Sequence, residues 1–176
     1  TRHRIKGILT GEDFQIVFSD TPGVLDPAYE LQTKMMDAVK ESLVDADVIL
    51  YVVEIGEKRL KNEEVFQRLQ KTSTPIILLL NKIDTATQDR LNEAVEYWHE
   101  LLPNAEILPI SAKENVNVDL LINKIKAIIP EGPQYYPDDE EWNNLFNLWF
   151  QGYDLNTDII EHFHYLISHS DYLVMV

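Results

Sequence analysis

The stretch Pro75-Ile-Ile-Leu-Leu-Leu80, followed at once by Asn81-Lys-Ile-Asp84, decides how the rest of the chain is read. Five consecutive aliphatic residues without alternation predict a strand buried on both faces, as in parallel sheets whose crossover helices cover both sides. The abrupt change to Asn, Lys and Asp places polar side chains at the strand's carboxyl end, where open α/β sheets keep their ligand crevice.

Outward from this stretch, Val48-Ile-Leu-Tyr-Val-Val53 is a second run of the same kind, and Leu60–Gln70 between the two reads as a helix. On the other side Ala86–Leu102 reads as a helix, Glu106–Ile110 as a short strand, and Val118–Ile129 as a helix that stops before Pro130. Strands alternating with helices predict parallel crossover units and an α/β domain. Toward the N-terminus, Arg4-Ile-Lys-Gly-Ile-Leu-Thr10 and Phe14-Gln-Ile-Val-Phe-Ser19 flank Gly11-Glu12-Asp13 and predict an antiparallel hairpin. Tyr29–Leu43 follows as a helix whose Leu31, Met35, Val39 and Leu43 form one apolar stripe. Toward the C-terminus, prolines 130, 133 and 137 mark residues 130–137 as a linker. Residues 138–176 form an acidic, aromatic tail with amphipathic segments at Trp142–Phe150 and Ile159–Ile167 and a terminal apolar run at Tyr172–Val176.

Composition narrows the function classes. There is no cysteine, so neither a disulfide framework nor a thiolate metal site exists, and a cytoplasmic location is the expectation. No apolar run approaches the roughly 20 residues of a spanning helix. Fifteen Lys and Arg stand against thirty Asp and Glu, a net charge of -15 that repels phosphate backbones. All fifteen basic residues precede residue 127, while the last fifty residues carry nine acids and no Lys or Arg. The five histidines, including His162 and His164, read as solvated or packed side chains, and Asp138–Glu141 as a helix N-terminal charge cluster.

Three polar tips follow three predicted strands. In Asp20-Thr21-Pro22-Gly23, at the end of a predicted strand, a carboxylate can reach a phosphate-bound Mg²⁺ through water and a glycine can bring its amide close to a terminal phosphate. In Asn81-Lys82-Ile83-Asp84 the carboxylate can accept two protons from the guanine edge, the asparagine amide addresses the other edge, and the lysine stem covers the ring. Ser111-Ala112-Lys113 offers small residues whose amides can approach the guanine carbonyl oxygen. Each tip alone also reads as an ordinary turn; their order at successive strand ends is what points to one crevice.

These residues resemble the phosphate-sensing and guanine-reading motifs of the P-loop GTPases of the translation-factor class. Within it, Thr1-Arg-His-Arg-Ile-Lys-Gly7, Ile110-Ser-Ala and Asn117-Val-Asp119 look most like the Era family of bacterial ribosome-assembly GTPases. The resemblance implies an incomplete P-loop GTPase fold, doubly wound and mostly parallel with one antiparallel strand, over residues 1–129 from switch I onward. It implies GTP or GDP and Mg²⁺ as ligands. It further implies 16S rRNA and the small ribosomal subunit as partners, peripheral membrane association of the parent, and a linker at 130–137 leading toward an RNA-binding domain. Carried over by position, Thr1 and Asp20 hold the metal and Gly23 faces the γ-phosphate. Asn81, Lys82 and Asp84 read guanine, and Ser111, Ala112 and Lys113 complete the base pocket. Val24 stands where other GTPases carry a water-orienting glutamine, so no catalytic side chain is assigned.

The chain also departs from the family's pattern. It contains no Gly-x-x-x-x-Gly-Lys-Ser/Thr, and the expectation is that this loop lies upstream of Thr1 and that the chain alone is inactive. A strand and a helix missing with it would leave hydrogen-bonding edges at Phe14–Ser19 and Val48–Val53, partly covered by Tyr172–Val176. Asn115 occupies a position that is often glycine in the family. Residues 138–176 lack the Gly-x-x-Gly loop of a KH domain and every basic residue, so RNA binding is not carried onto them. The alternative function is a non-hydrolysing protein-interaction module with a relic guanine pocket.

Overall fold

The computed structural model describes residues 5–11, 13–20, 30–58, 62–133 and 173–175. The elements are β1 (Ile5–Thr10), β2 (Gln15–Asp20), α1 (Glu30–Asp45), β3 (Ile49–Glu54), α2 (Glu63–Lys71), β4 (Ile76–Asn81), α3 (Gln88–Leu101), β5 (Ala105–Pro109), α4 (Val118–Ile128) and β6 (Leu173–Met175), with a 3₁₀ turn at Ile83–Thr85. Six strands form one sheet in the order β1-β2-β6-β3-β4-β5.

β3, β4 and β5 are the parallel part that the aliphatic runs predict. Ile49 lies opposite Ile76 and Glu54 opposite Asn81, while Ile76 lies opposite Ala105 and Leu80 opposite Pro109. Because side chains alternate across a strand, each run divides between two cores. Ile49, Tyr51, Val53, Ile76, Leu78 and Leu80 pack with α1, α2 and α3, and Trp98 meets Tyr51 edge-on at 5.4 Å between ring centroids. Val48, Leu50, Val52, Ile77 and Leu79 face the other way and pack with Ile16, Phe18, Val118, Leu121 and Ile125. Burial on both faces is why these strands read as unbroken apolar runs.

Helix boundaries move where capping decides them. α2 begins at Glu63, where Asn62 Oδ1 accepts the Val65 N–H at 3.1 Å and satisfies a first-turn donor; Leu60 and Lys61 of the expected helix lie outside the described residues. In α1 the buried stripe is Met36, Val39 and Leu43; the side chains of Leu31 and Met35 lie outside the described residues.

β1 and β2 form the expected antiparallel hairpin, from Ile5 opposite Asp20 to Thr10 opposite Gln15. At its tip Gly11 N–H donates to the Phe14 carbonyl at 2.8 Å, and a Cβ on Gly11 would lie 2.2 Å from the Phe14 ring, so any larger residue would have to displace that ring. Lys126 of α4 fastens the tip, with its ammonium 4.0 Å from the Phe14 ring centroid and 3.0 Å from the Asp13 carboxylate. That hydrogen bond and charge hold the Asp13 carboxyl below its ordinary value.

β6 supplies the partial cover expected of the terminal apolar run at the edges of β2 and β3. This strand lies between β2 and β3 and is antiparallel to both, with Met175 and Val174 opposite Ser19 and Asp20 and Met175, Val174 and Leu173 opposite Ile49, Leu50 and Tyr51. Backbone donors and acceptors at the middle of a buried sheet need partners, and a short apolar β-prone segment supplies them. Since β6 opposes both neighbours, β2 and β3 run parallel to each other, and the carboxyl ends of β2, β3, β4 and β5 point the same way. Of the segments assigned to the tail, Trp142–Phe150 and Ile159–Ile167 lie outside the described residues.

Candidate functional site

The ends of β3, β4 and β5 form one row because the parallel register levels them, whereas Asp20 at the end of β2 lies across β6 from Leu50, four residues before Glu54. Asn81, which closes β4, is 2% exposed, and its Oδ1 accepts from the Lys82 N–H at 2.8 Å and from the Ala112 N–H at 3.1 Å. The side chain thus ties the β4 tip to the loop after β5. Two backbone bonds repeat the tie: Ile110 N–H donates to the Leu80 carbonyl at 2.8 Å and Ile83 N–H to the Ile110 carbonyl at 3.3 Å.

Lys82 takes a left-handed conformation with φ 64° and ψ 35°, which a non-glycine residue adopts at a cost of about 1–3 kcal/mol when its surroundings hold it there. Here Asn81 holds its N–H, and Thr85 donates to its carbonyl from both N–H (3.1 Å) and Oγ1 (2.9 Å). The following 3₁₀ turn presents Asp84, whose Oδ1 accepts from the Ser111 hydroxyl at 2.6 Å. Ser111 is fully buried, and its Oγ also accepts the Glu114 N–H at 3.1 Å.

The loop after β5 is a tight closure. Ser111 and Val116 exchange backbone bonds at 3.2 and 2.9 Å, and Asn115 and Asn117 stand at φ 54° and 62°. Asparagine tolerates that region, so the loop closes with non-glycine residues at both positions. Asn117 Nδ2 donates to the Pro109 carbonyl at 2.8 Å and holds the loop against its strand.

Residues 4–131 match the family of the elongation factor Tu GTP-binding domain. The chain belongs to this GTP-binding-domain family. It is similar to GTPase Era of Clostridium beijerinckii, with 41% identity over 140 residues that cover 79% of this chain and 47% of that protein. It is also similar to GTPase Era of Staphylococcus haemolyticus, with 40% identity over 141 residues that cover 80% and 47%. The chain spans about half the length of the curated relatives it matches. Among solved structures, an Aquifex aeolicus Era variant bound to GDP·AlF₄⁻ superposes with a TM-score of 0.67 at 33% identity, covering 78% of this chain and 49% of that one. Translation elongation factor SelB of Methanococcus maripaludis, in complex with the GTP analogue GppNHp, matches in fold with a TM-score of 0.53 at 23% identity over 76% of this chain and 29% of that one. The α/β P-loop GTPase-like fold is therefore the fold of this chain, with β3-β4-β5 as its parallel part.

Within this GTP-binding-domain fold, the sequence-predicted residues fall into three groups. Asn81, Lys82, Ile83, Asp84, Ser111 and Ala112 converge through the contacts above. Lys113 stands apart: it is exposed, and its ammonium meets Glu114 at 3.2 Å. Asp20 closes β2, its backbone opposite Ile5 and Val174; Thr1, Thr21, Pro22 and Gly23 lie outside the described residues. Sequence reasoning missed Glu54. It ends β3 directly opposite Asn81, and its carboxylate pairs with the Lys82 ammonium. The available signal was its place one residue past Val53, in the same strand-end row as the β4 motif.

No helix among the described residues is long and apolar enough to cross a membrane, and no cluster of three or more His, Asp or Glu among them could hold a metal ion.

Proposed function

We propose that residues 1–129 form a partial guanine-nucleotide-binding domain in which Asp84 reads the base at the β4 tip, with Asn81, Lys82, Ile83, Ser111, Ala112 and Lys113 forming the pocket. The observation that carries this reading is the coupling of the two tips: Asn81 to the Ala112 N–H, and Asp84 to the Ser111 hydroxyl. It brings a carboxylate and an amide together where the β4 tip meets the loop after β5, and with the neighbouring Lys82 they are groups that suit guanine's edge and ring.

The phosphate side of the proposal rests on Asp20, Thr21, Pro22 and Gly23. β2 ends at Asp20 with its carboxyl end directed like those of the base-reading strands. Thr1 and Asp20 are the proposed Mg²⁺ residues, and hydroxyl and carboxylate oxygens suit that hard cation. When bound, the ion neutralises charge on the phosphates. In a protein spanning the length of the relatives, we assign GTP hydrolysis coupled to assembly of the small ribosomal subunit and its 16S rRNA, in the cytoplasm, with 130–137 as linker and 138–176 as a tail. The curated relatives' name, GTPase Era, supports the GTPase part.

For these 176 residues by themselves a second reading has an observation in its favour. The sequence holds no P-loop lysine or glycine-rich cradle, and a few base contacts do not replace the charge interactions of a triphosphate site. The chain alone is then expected to bind GTP no tighter than micromolar and not to hydrolyse it, which is the behaviour of a non-hydrolysing module.

Base choice tests the reading. Asp84→Asn keeps the shape but replaces an acceptor with a donor, so binding should move from guanine toward xanthine nucleotides by about 1.5–3 kcal/mol. Titrations of GMP and XMP followed by NMR read this directly. An unchanged preference refutes Asp84 as base reader.

A further inference from the structure

Glu54 lies in the row of strand ends yet belongs to none of the motifs. The β3–β4 register sets it opposite Asn81, and the Lys82 ammonium reaches across to its carboxylate. Glu54 is itself fixed by a turn. Its N–H donates to Glu57 Oε2 at 2.8 Å, the Glu57 N–H returns to the Glu54 carbonyl at 3.0 Å, and Gly56 supplies the φ of 92° between them. A Cβ on Gly56 would come no nearer than 3.5 Å to Arg90 Nη2, so the backbone angle, not space, calls for glycine.

The pair's two side chains are 41% and 43% exposed, and a pair this open to water adds little to folding stability. Its consequence is geometric. Lys82 has its Cα at the β4 tip and its ammonium at the β3 tip, so the hydrocarbon stem bridges the two. On the β5 side of the same tip, Asp84 is held by Ser111. The base-reading carboxylate and the lysine stem are thus anchored in opposite directions along the sheet edge.

We propose that Glu54 is a positioning residue for base recognition: it holds Lys82 across the β3 and β4 tips so that the stem is set to cover the face of a purine whose edge Asp84 reads. The role rests on the base site proposed above. A lysine ordered before the ligand arrives gives up less rotamer freedom on binding, so the gain is one of preorganisation.

The test uses the whole chain with isotope-labelled lysine, comparing wild type with Glu54→Gln, Lys82→Met and the double variant. Side-chain relaxation of Lys82 is measured without ligand, and GMP is then titrated against the Ala112 amide signal with AMP as control. In Glu54→Gln the Lys82 side chain should become as mobile as a free surface lysine, and GMP affinity should fall roughly threefold. The direction is diagnostic, because removing a negative charge near an anionic ligand by itself raises affinity. In the Lys82→Met background the same change should cause no loss of GMP affinity, only the slight rise that removing a negative charge gives, and the denaturant midpoint of Glu54→Gln should match wild type. Equal Lys82 mobility in wild type and Glu54→Gln overturns the proposal, as does a loss of affinity that persists without the lysine. An ordered Lys82 in a wild-type chain that binds no GMP identifies the base site as the failure, and the positioning role falls with it.

Discussion

The two halves of the sheet are held together by different means. In the parallel half, β3, β4 and β5 pair along nearly their whole lengths, and the β3 and β4 residues are buried on both faces between helices. In the other half, β1 and β2 also pair along their full length, but they join the rest of the sheet through the three residues of β6, with two pairs on one side and three on the other. Full register in the first half levels the strand ends, so that Glu54 and Asn81 stand opposite each other and Leu80 opposite Pro109. The short seam in the second makes β6 the point on which continuity of the sheet depends.

The strongest way to break this comparison is at Val174, the middle residue of β6, which faces both Asp20 and Leu50. Val174→Pro removes a backbone donor at the centre of a sheet and should destabilise the chain by about 2–4 kcal/mol. Hydrogen exchange should then collapse first in β2 while β3 and β4 keep their protection. Equal loss in all strands, or none, would mean that β6 is not the seam. In the unmodified chain the same experiment should give Ile49–Tyr51, paired on both sides, slower exchange than Gln15–Phe18.

A smaller effect, confined to the parallel half, is expected at Asn81. Asn81→Ala takes the acceptor from the Lys82 and Ala112 N–H groups, at a cost of about 1–3 kcal/mol where a buried donor is left without a partner. Chemical denaturation gives the cost, and the Ala112 amide shift should move without disturbing β1 or β2. A shift that spreads into the hairpin would show that the two halves are more tightly coupled than their pairing indicates.

The smallest expected effect is at the hairpin latch. The lowered Asp13 carboxyl pKa means that the Lys126 contact favours folding above the ordinary value of 3.8 and that its contribution is lost as the pH falls through the depressed value. Asp13→Asn should therefore remove a slight acid-range dependence of hairpin exchange and leave neutral-pH stability almost unchanged, since the carboxylate is fully exposed. Comparing exchange of β1 amides in the two chains from pH 5 down to pH 3 measures it.

The sequence by itself determined whatever is local in character. Unbroken Ile, Leu and Val runs announced β3 and β4, four-residue periodicity announced α1, and the change from Leu80 to Asn81-Lys-Ile-Asp84 placed a polar tip at a strand end, because each follows from side-chain alternation or capping within a few residues. Only the tertiary structure decided how Leu173–Met175 pairs, as one strand antiparallel to both β2 and β3, since three apolar residues can satisfy a backbone edge in many registers and the choice depends on partners more than 100 residues away. The same holds for Glu54: nothing near it in sequence marks it as the partner of Lys82, and their meeting follows from a register set by the packing of two buried strands.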